Sequence, residues 1–155
     1  MFEVSFLPVL AAGALSVVLG WLWYSPSVFG NAWMRLANIT PEMAEKGRQW
    51  MPLHSLFALL AGMLVAYVMN YFGIAWGVQD VIGSIELGIW CWLGFTAPTM
   101  LGMVLWEQKP LRYYFIVSLY WLVAFILMAN VLLFTSQFFY PEASDYSTDE
   151  TYIGE

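Results

Sequence analysis

An all-α polytopic membrane protein with four spans is the fold class this sequence predicts, and three observations predict it. The first is composition: 61 % of the 155 residues are hydrophobic and only 10 % are charged, with a mean hydropathy of +0.69. A soluble domain carries about 25 % charged residues. The second is the placement of charge. No Asp, Glu, Lys or Arg falls between Glu3 and Arg35, Arg48 and Asp80, Glu86 and Glu107, or Arg112 and Glu142. Each gap accommodates the roughly 20 apolar residues that cross a bilayer core as a helix. The third is that all 5 Lys and Arg residues fall into the first and third intervening loops, as alternating spans require.

The first span is expected over residues 6–24, with Pro8 in the first turn, where a missing N–H costs nothing. Glu3 stands where a signal peptide would be basic, so this run reads as a retained span. Ala12, Ser16 and Gly20 form a small-residue stripe that admits a neighbouring helix. The next segment, "WYSPSVFGNAWM", leads into the longest loop. There Phe29, Trp33 and Leu36 share one face of a short interfacial helix. Thr40-Pro41-Glu42 starts a second: threonine caps, proline takes the first position and glutamate meets the positive dipole end. Gly47 is expected to close it.

The second span is expected over 53–72, with Ala58, Gly62, Ala66 and Asn70 four apart. The third, over 81–105, repeats that spacing at Glu86, Trp90, Gly94, Pro98 and Gly102, and Pro98 should kink it. The fourth is expected over 113–134. Residues 1–136 then form the transmembrane domain and 137–155 a flexible acidic tail, which holds most of the net charge of −6. Two similarities suggest a repeat of two helical hairpins. Pro26, Gly30 and Trp33 parallel Pro98, Gly102 and Trp106, and "MPLH" opens the second span much as "KPLR" opens the fourth.

Loop one carries Arg35, Lys46 and Arg48; loop three carries Lys109 and Arg112. The positive-inside rule places both loops in the cytoplasm and both termini outside it. The expected location is a cell membrane, a bacterial inner membrane, crossed several times. Tyr71, Trp76, Trp33, Trp50 and Trp106 fall near span ends, as an aromatic belt requires.

Polar chemistry within the spans is sparse. Glu86 is expected on the small-residue face of the third span, pointing into the bundle, and an ionisable group there is a functional candidate by default. Counting along the helices brings Asn70, Glu86 and Asn130 to similar depth. Three readings stand: a hydrogen-bonded lock between helices, which ranks above a proton or cation site, and, simpler still, a Glu86 at the headgroup level if the third span starts later than Val81. His54, Glu107 and Arg112 make possible polar contacts on the cytoplasmic side. Ala58, Gly62, Ala66, Gly94, Pro98 and Gly102 are the candidate packing residues. With one Cys and one His, neither a metal centre nor a cofactor is expected. Cys91 sits in an apolar run and reads as an inert thiol. No catalytic triad or phosphate loop can be assembled, so no enzyme is expected, and five basic residues make no nucleic-acid patch. Asn38-Ile39-Thr40 is a formal glycosylation acceptor on the cytoplasmic side.

Four stretches, "WYSPSVFGNAWM", "NITPEM", "GFTAPTMLGMVLWEQKPLRYY" and "YWLVAFILMANVL", resemble the membrane protein family called domain of unknown function 1761. The resemblance runs from the first span to about residue 134 and implies a four-helix integral membrane protein without an assigned activity. It also implies an acidic residue and a histidine early in the fourth span. Val117 and Trp121 occupy those places here, and the acidic tail lies outside the resemblance. The expected function is a structural or accessory subunit, packing in the lipid bilayer against itself as a homo-oligomer or against a larger membrane complex. The alternative is a small oligomeric transporter or channel using Glu86.

Overall fold

The computed structural model describes residues 6–139, and all regular structure there is helical. Four segments are long and apolar enough to cross a membrane: Phe6–Trp23, Met51–Ala75, Val81–Leu105 and Leu111–Phe138. The first is α1 (Phe6–Trp23). Two short helices follow in loop one, α2 (Gly30–Leu36) and α3 (Pro41–Gln49). The second span is α4 (Met51–Ala75). The third is built from α5 (Val81–Cys91), a π-helical turn at Trp92–Thr96, α6 (Ala97–Met100) and α7 (Gly102–Leu105). The fourth is α8 (Leu111–Phe139). It extends five residues past the expected end at 134, so the first tail residues continue the helix. The remainder of the tail, 140–155, lies outside the described residues, as does Glu3.

Local chemistry accounts for the boundaries. Thr40 Oγ1 accepts the Met43 N–H at 3.3 Å, with Pro41 in the first turn of α3, as its sequence requires. Hydrogen bonding from Thr40 and its own backbone also holds the Glu42 carboxyl below the usual carboxylate range. Gly47 does not end that helix. It lies inside α3, which runs to Gln49, and α4 begins directly after Trp50. Asn38 ends α2 in the left-handed region at φ 59°, with Asn38 N bonded to Arg35 O and Ile39 N to Met34 O. Gly77 ends α4 the same way at φ 66°, with Gly77 N on Ile74 O and Val78 N on Gly73 O.

The break in the third span follows from Pro98. Its ring carries no N–H, and the chain answers with the π-helical turn immediately upstream. The Thr99 hydroxyl donates to Phe95 O at 2.5 Å and to Thr96 O at 3.0 Å, and Tyr114 Oη donates to Ala97 O at 3.1 Å. Side chains thus add hydrogen bonds to the carbonyls just before Pro98.

The spans assemble as two hairpins, α1 with α4 and α5 with α8, joined by extensive packing of α1 on α8. Helix α8 is central, with 50 % of its apolar window buried against 17 % for α4. Close approach depends on small residues. A Cβ added at Gly62 would lie 2.5 Å from Ser16 Oγ and 3.3 Å from Gly13 O, and one at Gly88 only 2.8 Å from Ile126 Cα. Besides Tyr114 to Ala97, three further interhelical hydrogen bonds reinforce α8 at its loop-three half. Tyr120 Oη donates to Ser16 O at 2.9 Å, Trp23 Nε1 to Ile116 O at 3.0 Å, and Trp92 Nε1 to Ser118 O at 2.8 Å. The remaining seam, between α4 and α5, is nearly open.

The "WYSPSVFGNAWM" turn packs its aromatic rings onto the bundle. Phe29 lies 4.8 Å from the Trp23 ring and Trp33 lies 5.1 Å from Tyr24. Tyr24 in turn meets Tyr120 at 5.5 Å. Trp21, by contrast, is exposed and free to meet the membrane surface.

Candidate functional site

Two features stand out, both along the loosely joined α4–α5 side. The first is an open cavity of about 600 Å³ at the turn between these helices, lined by Trp76, Gly77, Val78, Gln79, Asp80, Gly83, Glu86, Leu87 and Trp90. Its floor is shaped by backbone constraints. The left-handed Gly77 reverses the chain after α4, and Asp80 caps α5 by accepting the Gly83 N–H at Oδ1, 2.7 Å away. Gln137 Nε2 of α8 donates to Gln79 O at 3.0 Å and ties the turn to the bundle. Phe72 holds the Trp76 indole by parallel stacking at 5.7 Å.

The cavity lining contains two carboxylates and two indoles, with neither Lys nor Arg. Trp76 and Trp90 are each 58 % exposed, so both indoles are accessible, Trp76 on the side not stacked on Phe72. Glu86 and Trp90 stand one helical turn apart on α5.

The second feature is an apolar groove of about 220 Å³ between α4 and α5, lined by Leu64, Val65, Val68, Met69, Phe72, Cys91, Phe95 and Phe125. Phe95 comes from the π-helical turn and stacks on Phe72 of α4 at 6.3 Å. A π-helical turn is a frequent companion of functional positions.

The structure redistributes the residues singled out from sequence. Glu86 is exposed and faces away from the bundle, contrary to its expected inward orientation. The packed face of α5 is instead Ser84, Leu87, Gly88 and Cys91. Asn130 uses its amide within α8, donating to Ile126 O at 2.8 Å, and Asn70 is half-buried on α4. No hydrogen bond joins Asn70, Glu86 and Asn130 among the described residues. Asn70 and Glu86 each stand five residues from a helix end, about 7.5 Å along the axis.

Among the packing candidates, Gly62 and Ala66 are buried against α1 and the core. Ala58, Gly94 and Pro98 are exposed, and a Cβ at Gly94 would meet nothing within 4 Å. Gly102 is half-buried, with only the Trp106 ring near its open side at 3.7 Å. Gly94 and Pro98 share the outer surface of the third span with exposed Glu86 and Trp90, and Ala58 lies on α4 one turn before the buried Gly62.

His54, Glu107 and Arg112 are all exposed, and the described residues contain one ion pair, Arg48 with Glu45 at 3.9 Å. Lys109 lies 5.8 Å above the Tyr113 ring. Cys91 is buried in the groove wall. Among the described residues no three His, Cys, Asp or Glu side chains gather into a metal-binding group. Val117 is half-buried, and Trp121 packs its ring 5.6 Å from Phe125.

The sequence placed Glu86 and Trp90 in one stripe and Trp76 among the belt aromatics, without joining them to Asp80 in one site. The available signal was Glu86-x3-Trp90, with a capping Asp80 and a helix-ending Trp76 upstream and no basic residue from 49 to 108.

No curated protein and no solved structure matches the chain. A family model, described as protein of unknown function, does match, over residues 7–133. That match reaches all four spans and includes every motif of the resemblance, and the chain belongs to the family DUF1761.

Proposed function

We propose that this protein is a membrane-embedded packing subunit, with the α4–α5 groove as the surface that receives a transmembrane segment of a second copy or of a larger complex. The unclosed seam is the observation that carries this reading. Two hairpins built alike would be expected to meet through equivalent contacts. Helix α1 packs fully on α8, whereas the corresponding approach of α4 to α5 leaves an apolar groove. Van der Waals complementarity, rather than hydrophobic transfer, drives helix association in lipid, so an unfilled groove between two spans favours occupation by another helix. The carboxyl-bearing Glu86 lies outside the groove and leaves it free of charge.

The basic residues of loops one and three favour an orientation with those loops in the cytoplasm and both termini outside. Extraction into lipid nanodiscs without detergent exchange, followed by native mass measurement, tests the reading. The expected result is a complex with a fixed protein stoichiometry greater than one chain. A single chain accompanied only by lipid would refute it.

A further inference from the structure

We infer that the cavity at the α4–α5 turn is a binding site for an organic ammonium group. It stands apart from the packing role and would survive its failure. An alkylammonium cation is recognised by aromatic faces together with negative charge, because the ring quadrupole attracts a cation whose alkyl groups have weakened its hydration. The cavity offers both. Trp76 and Trp90 present exposed indoles, Phe72 steadies the first by stacking, and Glu86 and Asp80 supply the charge. Among the described residues Glu86 has no hydrogen-bond or ion-pair partner, so its carboxylate is uncommitted. Asp80 spends one oxygen on the Gly83 N–H and keeps the other.

Size and place agree. About 600 Å³ exceeds the volume of a trimethylammonium or ethanolammonium group and leaves room for its attached chain. No Lys or Arg lines the cavity to compete for the carboxylates. Glu86 stands five residues, about 7.5 Å, inside the start of α5, near one end of a candidate membrane span. A bare metal ion is a poorer match, since among the described residues no three His, Cys, Asp or Glu side chains gather there. The ammonium can belong to a lipid headgroup or to a free amine, and the chemistry of recognition is the same.

The test uses the full chain labelled with 5-fluorotryptophan, with the Trp76 and Trp90 resonances assigned by single replacement with phenylalanine. In nanodiscs of phosphatidylglycerol, tetramethylammonium chloride is titrated against a matched sodium chloride control. In a second arm, phosphatidylethanolamine replaces part of the lipid. Saturable shifts of both resonances, with dissociation in the millimolar range, are expected in at least one arm. Shifts with tetramethylammonium assign a free amine; shifts with the ethanolamine lipid alone assign a headgroup. Glu86→Gln should weaken binding about tenfold, with unchanged thermal stability because the residue is exposed. Asp80→Asn retains the helix cap and should weaken it less. Shifts that sodium reproduces, shifts that Glu86→Gln leaves unaltered, or silence at both indoles in both arms would overturn the assignment.

Discussion

Replacing Gly88 by alanine is expected to destabilise the protein by about 2–3 kcal/mol, the cost of overpacking a contact that cannot yield. The added methyl would lie 2.8 Å from both Cα and N of Ile126 and 3.0 Å from the Phe125 carbonyl carbon. All three are backbone atoms of α8, so no rotamer change relieves the contact. The α5–α8 pair must separate, which also stretches the Trp92–Ser118 hydrogen bond. Gly94→Ala is the matched control. It introduces the same methyl on the same span, where nothing lies within 4 Å, and should change stability by less than about 0.5 kcal/mol. Reversible unfolding in mixed micelles, followed by circular dichroism, measures both. Equal effects would show that the α5 face has been assigned incorrectly.

Truncating Tyr120 to alanine should cost roughly 3 kcal/mol, at the low end for a large aromatic because lipid replaces part of the lost packing. This side chain links α8 to α1 and to the turn that follows α1. Its ring meets Trp23 at 6.2 Å, Tyr24 at 5.5 Å and Trp121 at 5.2 Å, and its hydroxyl donates to Ser16 O across the α1–α8 seam. Tyr120→Phe removes only the hydrogen bond and should cost about 1 kcal/mol. The difference between the two variants separates ring packing from the polar link. If phenylalanine and alanine cost the same, the hydroxyl alone carries the contribution of Tyr120.

The parts of this fold that could be read from sequence are those where water, charge or backbone chemistry leaves a mark. Charge-free runs located the spans, with the second and fourth extending several residues beyond the expected ends. Thr40 marked a helix start, and Pro98 marked the interruption of the third span. The facing of α5 was not legible for a physical reason. In lipid, a helix is apolar on the outside as well as inside, so no polar face reports which side packs. Two small-residue series run along this span. Glu86, Trp90, Gly94 and Pro98 turned out to be the exposed series, and Ser84 with Gly88 the packed one. Only the facing backbone of α8 distinguishes them. The cavity was hidden for a related reason, since Trp76 and Trp90 have the composition of any membrane-surface anchor until the Gly77 turn brings them beside Glu86 and Asp80.

The open seam between α4 and α5 is the centre of the functional account, and site-specific crosslinking in the native membrane tests it most directly. A photoreactive side chain at Val68, which lines the groove, is compared with one at Ile82, which is 70 % exposed on α5 outside it. The account predicts a discrete protein adduct of fixed mass from position 68 and lipid adducts from position 82. Lipid adducts alone at both positions would contradict it.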